Sequence, residues 1–137
     1  MPAIWHPTHD DYAIYLKLSD PLDAKLHVMP IFDQFWNWRD SKPHTIHLLV
    51  DAFEMRQVPA NWLALRGSPA FKHPRAGEIV VVGITPGFHI LLDTLMRIVR
   101  FKRVKLFSTM REGEEYLNLL VERTKAEYAA AAGNVTQ

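Results

Sequence analysis

Three short apolar segments separated by helical patterns constrain the fold of this chain more than any other feature. They cover residues 45–50, 78–84 and 104–107, and their apolar residues are continuous instead of alternating with polar ones. Continuous apolar strands are typical of a sheet that is covered on both faces. Between them, apolar residues recur at helical spacing, most clearly from Phe88 to Val99. Strands that alternate with helices indicate crossover connections and a largely parallel sheet.

Two further strands are predicted before the first helix. Residues 12–18 alternate between apolar and polar side chains, which indicates a half-buried strand. A shorter strand at 3–6 forms an antiparallel hairpin with it. We therefore predict an α/β fold with a mixed, mainly parallel sheet of four to five strands and helices on its faces. We expect one domain over 1–137, with a core at about 3–125 and a C-terminal helix extension and tail at 126–137.

The first helix is unusually rich in large apolar residues. We predict Asp20 as its N-cap, Pro21 at its first position and a kink or restart at Pro30. One stripe, which should face the sheet, consists of Leu26, Met29, Phe32 and Trp36. A second stripe, offset around the helix, consists of Val28, Ile31, Phe35 and Trp38. The second stripe is either a dimer surface formed by Phe35 and Trp38 or additional core beneath the hairpin or the last helix.

Composition excludes several classes of protein. The 137 residues include no cysteine, which excludes disulfides, thiolate metal sites and cysteine catalysis. The apolar runs are far shorter than the roughly 20 residues that span a bilayer, and the N-terminus lacks the pattern of a signal peptide. We therefore expect a cytoplasmic protein without a membrane span.

Positive charge is concentrated in one segment. Residues 97–105 contain five cations and no anion. Such a segment can bind phosphate groups, but it is also typical of a solvated helix end, where cations complement the helix dipole. The chain as a whole has a pI of about 8.1, which is low for a nucleic-acid-binding domain. We expect the solvated helix end and no nucleic-acid partner.

No motif for catalysis is present. The sequence has no nucleophile elbow and no P-loop, so we predict neither an enzyme nor a cofactor. His44 and His47 should lie on opposite faces of a strand, and we predict no metal site. Asp51 and Arg56 form either an acid with its partner, a surface ion pair or a capping aspartate.

Three stretches carry a family resemblance. Residues 45–51 form a buried strand that ends in aspartate, residues 73–83 a loop that leads into a central strand, and residues 104–117 an edge strand that enters the last helix through Thr109 and Glu112. In these stretches, and in the order of its elements, the chain resembles the STAS or SpoIIAA-like superfamily, the fold of anti-sigma-factor antagonists. The resemblance covers roughly residues 3–125. It implies a SpoIIAA-like fold and a non-enzymatic regulatory or protein-interaction domain.

The chain departs from that family after the strand-end aspartate. Phosphorylatable antagonists carry a serine there, whereas Asp51 is followed here by Ala52, and residues 52–57 contain no hydroxyl. We therefore expect no phosphorylation switch in this loop. The lipid-carrier branch of the same fold implies an alternative function, the binding of a small apolar ligand. The candidate binding residues are Asp51, Phe53, Arg56, Phe88 and His89, and the expected partners are another protein, a second copy of the chain or an apolar ligand.

Overall fold

The computed structural model describes residues 3–57, 59–67 and 76–136. Its strands are β1 (Ala3–Thr8), β2 (Ala13–Ser19), β3 (Ile46–Glu54), β4 (Ala76–Val82) and β5 (Val104–Phe107). Its α-helices are α1 (Met29–Asp40), α2 (Pro86–Val99) and α3 (Met110–Thr136). A π-helical turn (Ala24–Val28) precedes α1, and a 3-10 helix (Trp62–Gly67) lies between β3 and β4. Residues 73–75 of the second resemblance stretch lie outside the described residues.

The strands form one mixed sheet in the order β1-β2-β3-β4-β5. β1 is antiparallel to β2, and each following pair is parallel. The predicted α/β fold with a mainly parallel sheet is therefore confirmed. Because the spatial order follows the chain order, every crossover steps in the same direction. Right-handed crossovers place α1 and α2 on one face, and α3, which follows the last strand, packs on the other.

Both faces of the central strands are buried. On one face, side chains of β2, β3 and β4 pack beneath α1 and α2. On the other, Leu49, Val80 and Val82 of the sheet contact Leu117, Leu120 and Val121 of α3. Burial on both faces explains why these strands are continuously apolar in the sequence.

The first helix begins later than its sequence predicts. The N-cap is Asp23 and not Asp20, because the Asp23 side chain accepts hydrogen bonds from the backbone N–H groups of Lys25 and Leu26. The chain then makes the π-helical turn before α1 starts at Met29, with Pro30 in its first turn. The predicted restart at Pro30 is confirmed.

Both apolar stripes contribute buried residues to α1, including Phe32 of the first stripe, but the π-helical turn displaces Leu26. Leu26, predicted to face the sheet, is 69% exposed, whereas Val28, Ile31 and Phe35 of the second stripe are buried. A π turn contains more residues than an α turn, so it shifts the helix positions that precede it relative to those that follow. A prediction based on α-helical spacing alone therefore misplaces Leu26.

The last helix starts at the predicted capping box. The Thr109 hydroxyl accepts a hydrogen bond from the Glu112 N–H at 3.2 Å and donates one to the Glu112 carboxylate at 2.9 Å. The helix continues to Thr136, into the segment predicted as a helix extension and tail. Side chains 126–131 are exposed, so this part of α3 extends past the core.

The basic segment is the solvated end of α2, as predicted. Arg100 caps the helix in the left-handed conformation, with φ of 57°, and the five cations of residues 97–105 are exposed. Within the described residues, no helix combines the length and hydrophobicity that are needed to cross a membrane.

Candidate functional site

An apolar cavity lies between α1, α2 and the face of the sheet that they cover. It has a volume of about 90 Å³. Every lining residue is apolar: Leu16, Leu18, Leu22, Ala24, Val28, Phe32, Leu48, Val50, Pro59, Ile79, Val81, Phe88, Leu92, Leu95, Met96 and Val104. A cavity without polar groups does not hold ordered water and is suited to an apolar guest.

The floor of the cavity is the central part of the sheet. Leu48, Ile79 and Val104 belong to three neighbouring strands and point toward the two helices. All three remain half-buried, although they lie in the middle of the sheet. Among the described residues, α1 and α2 therefore leave a gap above this part of the sheet.

The segment after β3 helps to close the cavity. Ala60 donates a hydrogen bond to the Leu22 carbonyl at 2.9 Å and accepts one from the Ala24 N–H at 2.8 Å. The Asn61 amide donates to the Asp23 carboxylate at 2.8 Å. These bonds tie the segment to the π-helical turn and hold Pro59 in the cavity wall.

Phe88 and His89, two of the candidate binding residues, lie in different environments. Phe88 is half-buried and lines the cavity. His89 is exposed, lies outside the lining and approaches Asp93 at 3.6 Å on the outer side of α2. Phe88 and His89 differ in this way because consecutive helical residues point in directions about 100° apart, and ligand binding at either residue stays a prediction.

Asp51 does not pair with Arg56. The buried Asp51 carboxylate accepts hydrogen bonds from the Tyr15 hydroxyl and, at 3.2 Å, from the Phe53 N–H. Arg56 is exposed, its N–H donates to the Asp20 carboxylate at 2.8 Å, and no ion pair joins it to Asp51 in the described part of the chain. Asp51 lies within β3 and caps no helix in the described part of the chain, so the structure fits neither the capping interpretation nor the ion-pair interpretation.

Burial raises the pKa of Tyr15 to about 12, and its hydrogen bond to Asp51 adds to the effect. The tyrosine therefore stays protonated at neutral pH and donates to the carboxylate. This arrangement holds the end of β3 in place and leaves neither group free to act as a base.

Phe53 forms an apolar surface at the carboxyl edge of the sheet. Its side chain is 47% exposed. The ring lies over Gly83, where a Cβ atom would come within 2.6 Å of a ring carbon and where φ is +80°. The ring has room here because Gly83 lacks a side chain. The left-handed backbone of Gly83 is a second reason for glycine at this position.

The predicted dimer surface on α1 is not present in this conformation. Phe35 is only 2% exposed and Trp38 is half-buried. Trp5 of β1 covers both rings edge-on, with centroid separations of 6.0 and 6.2 Å. The dimer prediction is wrong for Phe35, and the alternative, additional core beneath the hairpin, describes the observed packing.

A buried histidine, His47, lies on the opposite face of the sheet. Its Nδ1 accepts a hydrogen bond from the Glu78 N–H at 3.0 Å, so Nε2 carries the proton and donates to the Thr124 hydroxyl at 2.8 Å. Burial lowers the pKa of His47 to about 4, which keeps the ring neutral at pH 7. With both ring nitrogens bonded, this histidine has a structural role.

His44 lies on the same side as His47, contrary to the prediction. It precedes β3, stacks on Tyr12 at 3.9 Å and meets Tyr128 of α3 edge-on. The alternation of a strand does not apply to a residue that lies before its start. In the part of the chain that the structure describes, no three histidine or carboxylate side chains are grouped to hold a metal ion.

Sequence reasoning located the two helices of the cavity but missed most of its lining. The sequence does not mark Met96 and Pro59 as cavity residues. An apolar residue that fills a core and one that lines a cavity follow the same hydrophobic pattern. Comparisons of the chain with protein-family models, curated proteins and solved structures found no match.

Proposed function

We propose that this chain is a non-enzymatic binding domain with a STAS-like architecture, and that it binds a small apolar ligand between α1 and α2. The wholly apolar cavity of about 90 Å³ is the observation that carries the proposal. An engineered cavity of about 150 Å³ binds benzene, so the group that enters here is a short alkyl chain or a similarly small apolar group.

The architecture supports the family part of the proposal. Four parallel strands follow one another in chain order, with α1 and α2 on one face and α3 on the other. This agrees with what the resemblance to the SpoIIAA-like superfamily implies. In such a fold, a gap between two helices on the same face exposes the sheet to a ligand.

Calorimetric titration with 1-hexanol tests ligand binding. Burying six carbons contributes about 0.8 kcal/mol for each carbon, which corresponds to a dissociation constant of about 0.3 mM. Leu92→Trp should fill the cavity and weaken binding at least tenfold. Leu119→Trp makes the same change at a side chain that is 66% exposed on α3, and it should leave binding unchanged.

A smaller substitution tests the same prediction if the tryptophan variant does not fold. Val81→Leu adds one methylene from the sheet floor and should also weaken hexanol binding. Circular dichroism establishes that each variant is folded. No saturable binding to the wild-type protein, or equal binding to the wild type and to folded Leu92→Trp, would refute the ligand proposal.

Protein interaction is the second candidate function, and the exposed ring of Phe53 favours it. An aromatic side chain that stays 47% exposed at a sheet edge is suited to a protein contact. If the partner is a second copy, sedimentation equilibrium should show a wild-type dimer that Phe53→Ser converts to a monomer. A wild-type protein that is monomeric at high concentration would exclude self-association through this surface.

A further inference from the structure

A basic cleft adjoins the apolar cavity at the C-terminal end of α2. Its lining consists of Asp93, Met96, Arg97, Arg100, Phe101 and Lys102. Three cations thus face one carboxylate, and that carboxylate lies 3.6 Å from His89. The cleft therefore carries a positive charge at neutral pH.

The turn after α2 brings these cations together. Phe101 donates a backbone hydrogen bond to the Met96 carbonyl at 3.0 Å, and Arg100 donates one to the Arg97 carbonyl at 3.3 Å. The left-handed conformation of Arg100 reverses the chain, so Lys102 returns beside Arg97. The two hydrogen bonds also occupy carbonyl groups of the last helical turn, which reduces their repulsion of an anion.

The three cations are available to a ligand. Arg97, Arg100 and Lys102 are exposed. None of them forms an ion pair with a carboxylate among the residues that the structure describes. The segment from Arg97 to Lys105 contains no carboxylate, so among the described residues Asp93 is the one acidic residue in the lining of the cleft.

Met96 connects the cleft to the cavity. Its side chain lines both, and it is 9% exposed. The wall of the cavity and the wall of the cleft therefore share this side chain. The cavity itself offers no polar atom to a head group, so a polar end must lie outside it.

We infer that the ligand is an anionic amphiphile, with a short apolar end in the cavity and a carboxylate or phosphate head group in the basic cleft. This inference rests on the proposed function, because it needs the cavity to be occupied. Arginine and lysine side chains recognise both head groups, since either anion accepts charge-assisted hydrogen bonds.

The test compares three ligands with the same alkyl chain. Hexanoate, hexyl phosphate and 1-hexanol are titrated calorimetrically into the wild-type protein. At least one anion should bind about tenfold more tightly than hexanol, and the tighter anion identifies the head group. The preference should fall in 0.5 M KCl, since salt screens exposed charges.

Variants separate the head-group site from the cavity. Arg97→Gln with Lys102→Gln should remove the preference for the anion and leave hexanol binding unchanged. Arg111→Gln with Lys125→Gln removes the same charge from α3, on the other face of the sheet, and should keep the preference.

The outcomes distinguish the two proposals. If hexanol and both anions bind equally, the cavity proposal stands and the head-group inference is wrong. If the anions bind more tightly but the Arg97→Gln and Lys102→Gln variant keeps the preference, the basic cleft is not the head-group site. If no ligand binds, the proposed function itself fails.

Discussion

At the scale of single residues, His47 shows how the fold controls an ionisable group. Both ring nitrogens are hydrogen-bonded, and Nδ1 can accept from Glu78 only while it is unprotonated. Protonation at pH values below about 4 would break this bond and place a charge beneath α3. The neutral ring is therefore part of the folded state.

The stability of the protein should fall as the pH decreases from about 6.5 to about 4. The pKa of His47 is lowered to about 4 in the folded state, so the unfolded chain takes up this proton first. The neutral His47 ring contributes its full stabilisation above the unfolded pKa of about 6.5. Below pH 4 the free energy of unfolding is lower by about 3 kcal/mol.

Urea unfolding at a series of pH values measures this effect. His47→Gln removes the titrating group, so its free energy of unfolding should change less between pH 6.5 and 4 than that of the wild type. An identical pH dependence in both proteins would show that His47 is not responsible.

Gly77 is required beside His47. A Cβ atom at this position would lie 2.7 Å from the Ile46 carbonyl oxygen and would overlap the His47 ring. Gly77→Ala should therefore destabilise the protein by about 1–3 kcal/mol, the usual cost of overpacking. Chemical denaturation measures the change.

Gly87 provides the matched control for this substitution. A Cβ atom at Gly87 meets no atom within 4 Å, and the residue lies in the first turn of α2. Gly87→Ala should be neutral or stabilise the protein by about 0.4–1 kcal/mol. Equal destabilisation by both substitutions would argue against the crowding at Gly77.

At the scale of elements, α1 is held by the strand that covers it. Trp5 of β1 contacts Phe35 and Trp38, and its indole N–H donates to Gln34 at 3.1 Å. The hairpin thus closes the outer side of a helix that would otherwise expose two aromatic rings. This packing explains why the apolar circumference of α1 does not require a partner.

Removal of the Phe35 side chain should be severely destabilising. Phe35→Ala is expected to cost about 3–5 kcal/mol, because the ring lies in the core between Phe32 and Trp5. Asn37→Ala, at an exposed position of the same helix, should change stability by less than about 0.5 kcal/mol. Thermal unfolding measures both, and a stable, folded Phe35→Ala monomer would instead assign Phe35 to an interface.

The sequence was sufficient to predict most elements. Hydrophobic periodicity located the strands and α2, and the spacing of Thr109 and Glu112 located the capping box. These features depend only on residues that are close in the sequence. It misplaced the N-cap at Asp20, because a π-helical turn leaves no signature in apolar spacing. It could not decide whether Phe35 is core or interface, since that depends on Trp5, thirty positions earlier in the chain.

At the scale of the whole molecule, the candidate site is a property of helix placement. The cavity exists because α1 and α2 sit apart on one face of the sheet, whereas α3 packs closely on the other. A sequence records that Leu48 and Leu49 are both apolar, but not that Leu48 faces a gap while Leu49 is only 2% exposed. The void could therefore not be predicted from the sequence.

Xenon binding is a direct probe of the cavity between α1 and α2. Xenon enters apolar cavities and needs no polar contact. In methyl-labelled protein under xenon pressure, the NMR signals of Leu48, Leu92 and Met96 should shift saturably, whereas those of Leu117 and Leu120 beneath α3 should not. Shifts of equal size on both faces, or no shift at Leu48, Leu92 and Met96, would contradict an open apolar cavity between α1 and α2.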